Sequence, residues 1–183
     1  FGAALYVADL VGVTMTRELS PLVVAIILAG RSGSSFAAEI GTMKVSEEVD
    51  ALITIGLNPT KFLVIPKLLA IVMMQPCLTL ISDVVSIFGG MLVGIGLLDI
   101  EWLRYLRQTR DALLLQDIVT GLIKALVFAV IIAIVGCYEG FQVEGGAEGV
   151  GIHTTASVVK SPLPPTLSVA TAFRLGPPAR RQR

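Results

Sequence analysis

The sequence is poor in charged residues, cysteine and histidine, and each shortage excludes a class of protein. Charged residues make up 15% of the 183 residues, against about 25% in an average soluble domain. Lys and Arg total 14, as do Asp and Glu, so no basic field favours nucleic acid. Cys77, Cys137 and the single histidine, His153, have no metal-ligand or disulfide-framework spacing. We interpret the two cysteines as packing residues and His153 as a loop residue.

Sequence motifs for catalysis are also missing. The glycine-rich stretch GRSGSS, which begins at Gly30, does not match the phosphate-binding pattern GxxxxGK[ST]. No serine, histidine and acid arrangement and no zinc spacing appears. We therefore predict that the chain is not an enzyme and holds no cofactor or metal. If the chain takes part in active transport, another chain must hydrolyse the ATP.

Hydrophobic residues are abundant, at 54%, and they lie in long runs. The 31 residues between Lys67 and Asp99 carry one charge, and the 21 residues between Asp117 and Glu139 also carry one. A helix of about 20 apolar residues crosses a bilayer. The sequence therefore predicts an all-α, polytopic integral membrane protein. Its spans are expected at about 5–30, 67–98 and 117–137.

The hydrophilic segment 39–61 separates the first two spans and has its own helix signals. Ser46 is expected to cap a short acidic helix, because its hydroxyl can accept a bond from the first turn. Gly56 is expected to end that helix in a left-handed conformation. Asn58 and Pro59 fit the first positions of the next helix. A short, capped, acidic helix at the membrane surface is predicted.

The second hydrophilic segment, 99–116, separates the last two spans. Trp102 and Tyr105 lie three residues apart beside leucines, as in an interfacial amphipathic helix. A solvated connector is the alternative. In the preceding run, Gly90 and Gly94 form a GxxxG pattern, which either packs helix on helix or allows bending.

Charge is costly inside a membrane span and marks function by default, and four charged residues of the predicted spans are considered for such a role. Arg17 and Glu18 are adjacent, so on an α-helix they point about 100° apart and are not expected to pair with each other. Lys124 lies seven residues past Asp117 and has a stem long enough to reach the headgroups. Asp83 is expected to be protonated or to have a polar partner, most simply a neighbouring serine.

Several motifs, taken in order, resemble one family. They are RELSP at Arg17, GLNPTKFLVIPKLLA at Gly56, GLIKALVFA at Gly121 and GGAEGVGIHTTASVV at Gly145. In this order the motifs closely resemble the MlaE (YrbE) family, the permease subunits of ABC-type phospholipid transporters. The resemblance implies an MlaE-type fold over residues 1–160.

The resemblance also implies roles for individual residues. Arg17, Glu18 and Lys124 match positions that line the cavity which receives the lipid. The segment 39–61 matches the cytoplasmic contact with the ATPase, and 99–116 matches a periplasmic segment. The residues implied in ATPase coupling are Glu39, Lys44, Glu47, Glu48 and Asp50.

By the same resemblance, the chain is a multi-pass permease of the bacterial inner membrane that moves phospholipid between that membrane and the outer envelope. The implied partners are a P-loop ATPase, a periplasmic MCE-domain protein, an accessory regulatory subunit and a second copy of the permease. Nucleic acid is not among them. Two alternatives stay open. In the first alternative, the chain is an ion-coupled carrier or channel that uses Glu18, Asp83 and Lys124. In the second, it is a non-functional permease fragment.

The two ends of the sequence depart from the family pattern. The family leads us to expect further helices before Phe1, and a last span where residues 161–183 instead hold five prolines and four arginines. Such a stretch cannot form a membrane helix. We expect a disordered, truncated or frame-shifted tail over 161–183 and a fold that is incomplete at both ends.

Overall fold

The computed structural model describes residues 9–98 and 101–161, and every regular element within those ranges is a helix. Six helices follow in order. They are α1 (Asp9–Val45), α2 (Glu48–Thr54), α3 (a π-turn at Thr60–Val64 that continues as α-helix over Ile65–Leu98), α4 (Trp102–Ala112), α5 (Leu115–Phe141) and α6 (Ala147–Lys160). The all-α prediction is confirmed.

Three of these helices are long and apolar enough to cross a membrane: Asp9–Val45, Thr60–Gly96 and Leu115–Phe141. The first two contain 37 residues each and measure about 56 Å at 1.5 Å per residue. A bilayer core is about 30 Å thick. Both helices are therefore longer than a perpendicular span requires, and α1 continues well beyond residue 30, where the first span was expected to end.

Helix α1 is continuous and contains two π-turns. One π-turn, Met15–Leu19, precedes Pro21, and the other, Ala29–Gly33, contains the small-residue stretch. A π-turn widens a helix locally and is frequent at functional sites. The first π-turn contains both Arg17 and Glu18, the charged pair singled out from the sequence.

Helix α5 is the centre of the bundle and packs against α1, α3 and α6. Its Gly136 and Gly140 lie almost in backbone contact with α1. A Cβ atom on Gly136 would lie 2.8 Å from the Gly33 oxygen, and one on Gly140 would lie 2.8 Å from Cβ of Ile40. The two glycines form a GxxxG pattern that the sequence analysis missed. The main core beside them consists of Ala25, Ala29, Ile71, Phe128, Ala129, Ile132 and Ala133.

Helix α4 folds back onto α3 at Gly90. A Cβ atom there would lie 2.7 Å from the Tyr105 hydroxyl oxygen and 2.8 Å from a methyl carbon of Val11. This close approach is what helix packing requires of a glycine, and Gly94 is buried as well. Tyr105 is 1% exposed, whereas Trp102 is 57% exposed. Only Trp102 therefore presents its ring outward as an interfacial residue does.

The segment between α1 and α3 forms the expected short helix, α2, but its start differs from the prediction. Ser46 does not cap it, because the Ser46 hydroxyl donates to the Thr42 carbonyl at 3.0 Å and Glu47 takes the capping position with φ 61°. Gly56 has φ 85° and follows the helix, as expected. Asn58 Oδ1 accepts the backbone N–H of Thr60 at 3.0 Å, as predicted for the start of α3.

His153 lies within α6, so its interpretation as a loop residue is wrong. Helix α6 starts after two glycines with positive φ, Gly145 and Gly146, which turn the chain back along α5. It packs against α1 and α5. The predicted tail lies outside the described residues from 162 onward, and only Ser161 of it is described.

Candidate functional site

Four charged side chains from α1 and α5 meet between these two helices. Lys124 Nζ lies 2.5 Å from Glu18 Oε1, and Arg17 Nε lies 3.7 Å from the same oxygen. Arg17 Nη1 lies 4.0 Å from Asp117 Oδ1. We call Arg17, Glu18, Asp117 and Lys124 the α1–α5 charge cluster. The three residues that the sequence assigned to one site thus lie together.

The expectation that Arg17 and Glu18 would not pair with each other is wrong. It assumed α-helical geometry, in which neighbouring side chains diverge by about 100°. Both residues lie in the π-turn Met15–Leu19, and the long arginine stem reaches back to the carboxylate that Lys124 also binds. Asp117 is the member that the sequence analysis missed. Its spacing from Lys124, seven residues or two helical turns, placed the two on one face and was the available signal.

Pro21 explains why Lys124 also binds the backbone of α1. In a helix the N–H of residue 21 would donate to the carbonyl of residue 17, but proline has no N–H. The Arg17 carbonyl is thereby available, and Lys124 Nζ donates to it at 3.3 Å. One ammonium group therefore joins α5 to both the side chain of Glu18 and the main chain of Arg17.

The cluster is half-buried and electrically neutral. Side-chain exposure is 18% for Glu18, 20% for Lys124 and 39% for Arg17. Arginine has the longest ion-pair distances and the greatest exposure, so its guanidinium is the least committed cation. A guanidinium binds phosphate oxygens with two parallel hydrogen bonds. The arrangement is therefore able to accept an anion such as a phosphate group at Arg17 while Lys124 stays anchored to α1.

The residues implied in ATPase coupling divide into two groups. Glu39 forms an ion pair with Lys67 of α3, and Lys44 donates to the Phe141 carbonyl of α5 at 2.8 Å. These two side chains hold helices together. The other three are exposed around the start of α2, namely Glu47, Glu48 and Asp50.

A second charged group lies between α5 and α6 and was missed from the sequence. Glu139, 3% exposed, lies 2.7 Å from Lys160 Nζ and 3.1 Å from His153 Nδ1. The three residues are 14 and 21 positions apart, so local spacing gave no signal. Their pairing fastens α6 to α5.

A family model described as "Permease MlaE" matches residues 1–164. The chain belongs to the MlaE permease family. Among curated relatives, a probable ABC transporter permease protein of Rickettsia typhi is 48% identical over 161 residues. A protein of the same name from Synechocystis is 42% identical over 161 residues, and one from Pyropia yezoensis is 41% identical over 157 residues.

The chain spans about three-fifths of the length of these relatives. The alignments cover 88%, 88% and 86% of this chain but 62%, 61% and 60% of the relatives from Rickettsia typhi, Synechocystis and Pyropia yezoensis, respectively. The matched region contains all three long helices and the α1–α5 charge cluster. The chain is thus a multi-pass membrane protein of this family.

Proposed function

We propose that the chain is the membrane subunit of an ABC transporter that moves phospholipid, and that the α1–α5 charge cluster contacts the lipid headgroup. The observation that carries this proposal is the meeting of Arg17, Glu18 and Lys124 between two membrane-spanning helices. Charged residues at such a position are costly unless they serve a substrate or each other. In an MlaE-family chain, a phospholipid is the substrate that fits them.

The headgroup contact assigns a different task to each cation. Lys124 is held by two acceptors on α1, at 2.5 and 3.3 Å, so it positions Glu18 and closes the gap between the helices. Arg17, with pair distances of 3.7 and 4.0 Å, binds the phosphate. The apolar outer surfaces of the three spans accommodate acyl chains without competing polar groups.

The ATPase contact is proposed for α2 and the residues just before it. Glu47, Glu48 and Asp50 are exposed there, and Ile53 and Ile55 are 56% and 74% exposed. An exposed surface with apolar residues rimmed by charge is typical of a protein contact. Glu39 and Lys44 instead transmit movement within the chain, because both bind other helices.

The remaining partners follow from the family rather than from any contact of this chain. They are a periplasmic MCE-domain protein that exchanges lipid with the permease, a regulatory subunit on the ATPase and a second permease copy. The bacterial inner membrane is the proposed location. ATP hydrolysis is assigned to the separate P-loop subunit.

Lipid transfer by the full-length permease, reconstituted with its ATPase and MCE partners, tests the headgroup contact. Glu18→Ala and Lys124→Ala are expected to abolish transfer of a labelled phospholipid while the protein still inserts into the membrane. Arg107→Ala is the matched control, because Arg107 is exposed on α4. It is expected to transfer lipid at the wild-type rate.

The double variant Glu18→Lys/Lys124→Glu separates lipid contact from helix pairing. It keeps an ion pair and the same total charge, so folding is expected to be close to wild type. Transfer is expected to stay impaired, because the carboxylate and the ammonium exchange helices. Wild-type transfer by both single variants would refute the headgroup contact.

A further inference from the structure

A groove of about 480 Å³ lies between α3 and α4 and shares no residue with the α1–α5 charge cluster. Its lining is entirely apolar or aromatic, namely Val84, Ile87, Phe88 and Met91 of α3 and Trp102 and Leu106 of α4. We call it the α3–α4 groove. Phe88 and Trp102 are each 57% exposed, so the groove is open within the part of the chain that the structure describes. Its volume falls in the range of about 300–1,000 Å³ that is typical of ligand pockets.

The α3–α4 groove lies at one edge of the membrane. Lys67 of α3 forms an ion pair with Glu39 of α1, and such a pair is expected near an edge of the hydrocarbon core. Ile87 follows Lys67 by 20 residues on the same helix, a distance of about 30 Å that matches the thickness of the core. Ile87 packs against Tyr105 of α4. Helix α4 therefore lies at the opposite edge, where amphipathic helices bind.

One cation borders the groove. Trp102, Leu106 and Arg110 follow one another at intervals of four residues, so they share one face of α4. The Cβ atoms of residues four apart are about 5–6 Å from each other, which places Arg110 directly beyond the groove residue Leu106. Arg110 is exposed. Its guanidinium has no carboxylate within 4.0 Å in residues 9–98 and 101–161.

The other charged residues of α4 point away from the groove. With 3.6 residues per turn, Arg104, Arg107 and Asp111 diverge from Leu106 by about 160°, 100° and 140° around the helix axis. Arg110 diverges from Leu106 by only about 40°. The charge that α4 presents beside the groove is therefore a single positive one.

This combination determines what fits the site. An apolar groove at the edge of a bilayer suits an acyl chain, and the Trp102 ring suits the level of the headgroups. A guanidinium binds phosphate oxygens with two parallel hydrogen bonds. An anionic phospholipid such as phosphatidylglycerol brings an acyl chain and an unbalanced negative charge together. A zwitterionic phospholipid carries its own cation, so it complements Arg110 less well.

We propose that the α3–α4 groove binds an acyl chain of an anionic phospholipid from the surrounding bilayer, and that Arg110 binds the phosphate of the same lipid. This lipid lies on the outer surface of the protein, apart from the lipid contacted by Arg17, and fastens α4 to the membrane. Its binding requires neither ATP nor a partner protein. The test of this site and the test of the headgroup contact therefore fail separately.

Trp102 fluorescence tests the site directly, because Trp102 lines the groove and is the only tryptophan among the 183 residues. The full-length permease is reconstituted in phosphatidylcholine bilayers with increasing fractions of a lipid brominated on its acyl chains, either phosphatidylglycerol or phosphatidylcholine. Subtracting the signal of Trp102→Phe isolates Trp102. Because of the arginine, half-maximal quenching is expected at about a fivefold lower fraction of brominated phosphatidylglycerol than of brominated phosphatidylcholine.

Two matched variants assign this preference to one side chain. Arg110→Gln is expected to abolish it, so that both lipids quench Trp102 equally. Arg104→Gln removes the same charge from the side of α4 that faces away from the groove and is expected to keep the preference. The proposal is overturned if the wild type shows no preference or if Arg104→Gln abolishes it as well. Absence of quenching by either lipid also overturns it and indicates that a protein segment fills the groove.

Discussion

The contact between Gly121 and α1 gives the most direct test of how the charge cluster is held. A Cβ atom on Gly121 would lie 2.4 Å from the Thr16 carbonyl oxygen and 3.5 Å from Cγ of Pro21. The nearest atom belongs to the backbone, so no side-chain rotation relieves the clash. In Gly121→Ala the two helices must separate by about 1 Å to restore ordinary contact. The Lys124 bond to the Arg17 carbonyl, at 3.3 Å, is then expected to break.

The magnitude follows from two opposing effects. Inserting one carbon into a packed contact costs about 1–3 kcal/mol, and a backbone clash this close belongs near the upper end. Alanine is the better helix former by about 1 kcal/mol. We therefore expect Gly121→Ala to reduce the free energy of unfolding by about 1–2 kcal/mol. Unfolding by sodium dodecyl sulfate in mixed micelles measures this quantity.

Gly89→Ala is the matched control, because no atom of the residues that the structure describes lies within 4 Å of a Cβ at Gly89 on α3. It is expected to leave the free energy of unfolding unchanged or slightly raised. If Gly121→Ala unfolds at the same detergent fraction as Gly89→Ala, then α1 and α5 are not in backbone contact at this level. The explanation of how Lys124 reaches α1 would then fail as well.

Two further predictions concern α4 and α6. Burial raises the pKa of Tyr105 above its usual value near 10. The stability that this group contributes is complete below pH 10 and is lost as pH rises through the folded-state pKa. In unfolding measured across alkaline pH, wild-type stability is therefore expected to fall more steeply than that of Tyr105→Phe. Lys160→Ala leaves the buried Glu139 carboxylate with His153 alone. It is expected to reduce the free energy of unfolding by about 1–3 kcal/mol and to speed hydrogen exchange over α6. Lys61→Ala, at an exposed position, is expected to change neither.

The coarse features of the fold were predictable because they depend on composition and local signals. Apolar runs of more than 20 residues predicted the later helices, and Gly56 and Asn58 were assigned correctly because turn and cap geometry depends on a few adjacent residues. The role of Ser46 as a helix cap was predicted wrongly, because Glu47 takes that position with a left-handed φ of 61°, which non-glycine residues rarely adopt. The π-turns of α1 were not predicted either, because no local sequence signal used in the analysis marks a π-turn.

The site was predictable in part, and the missing parts share one cause. Arg17, Glu18 and Lys124 were recognised from motifs, whereas Glu139 and His153 were not connected, because their pairing requires α6 to fold back along α5. The GxxxG pattern of Gly136 and Gly140 is present in the sequence but was not recognised there. These features depend on contacts between helices, and the residue pattern of one helix does not reveal where the partner helix lies.

The RELSP motif holds both the charged pair and the backbone acceptor of Lys124 on one turn of helix. Arg17 and Glu18 supply charge toward α5, and Pro21 releases the carbonyl that Lys124 binds while its ring lies 3.5 Å from the Cβ position of Gly121. Replacing Pro21 would return the Arg17 carbonyl to the helix and shift this turn. A proline beside a charged pair in a membrane helix is therefore part of the geometry that joins α1 to α5 and not simply a kink.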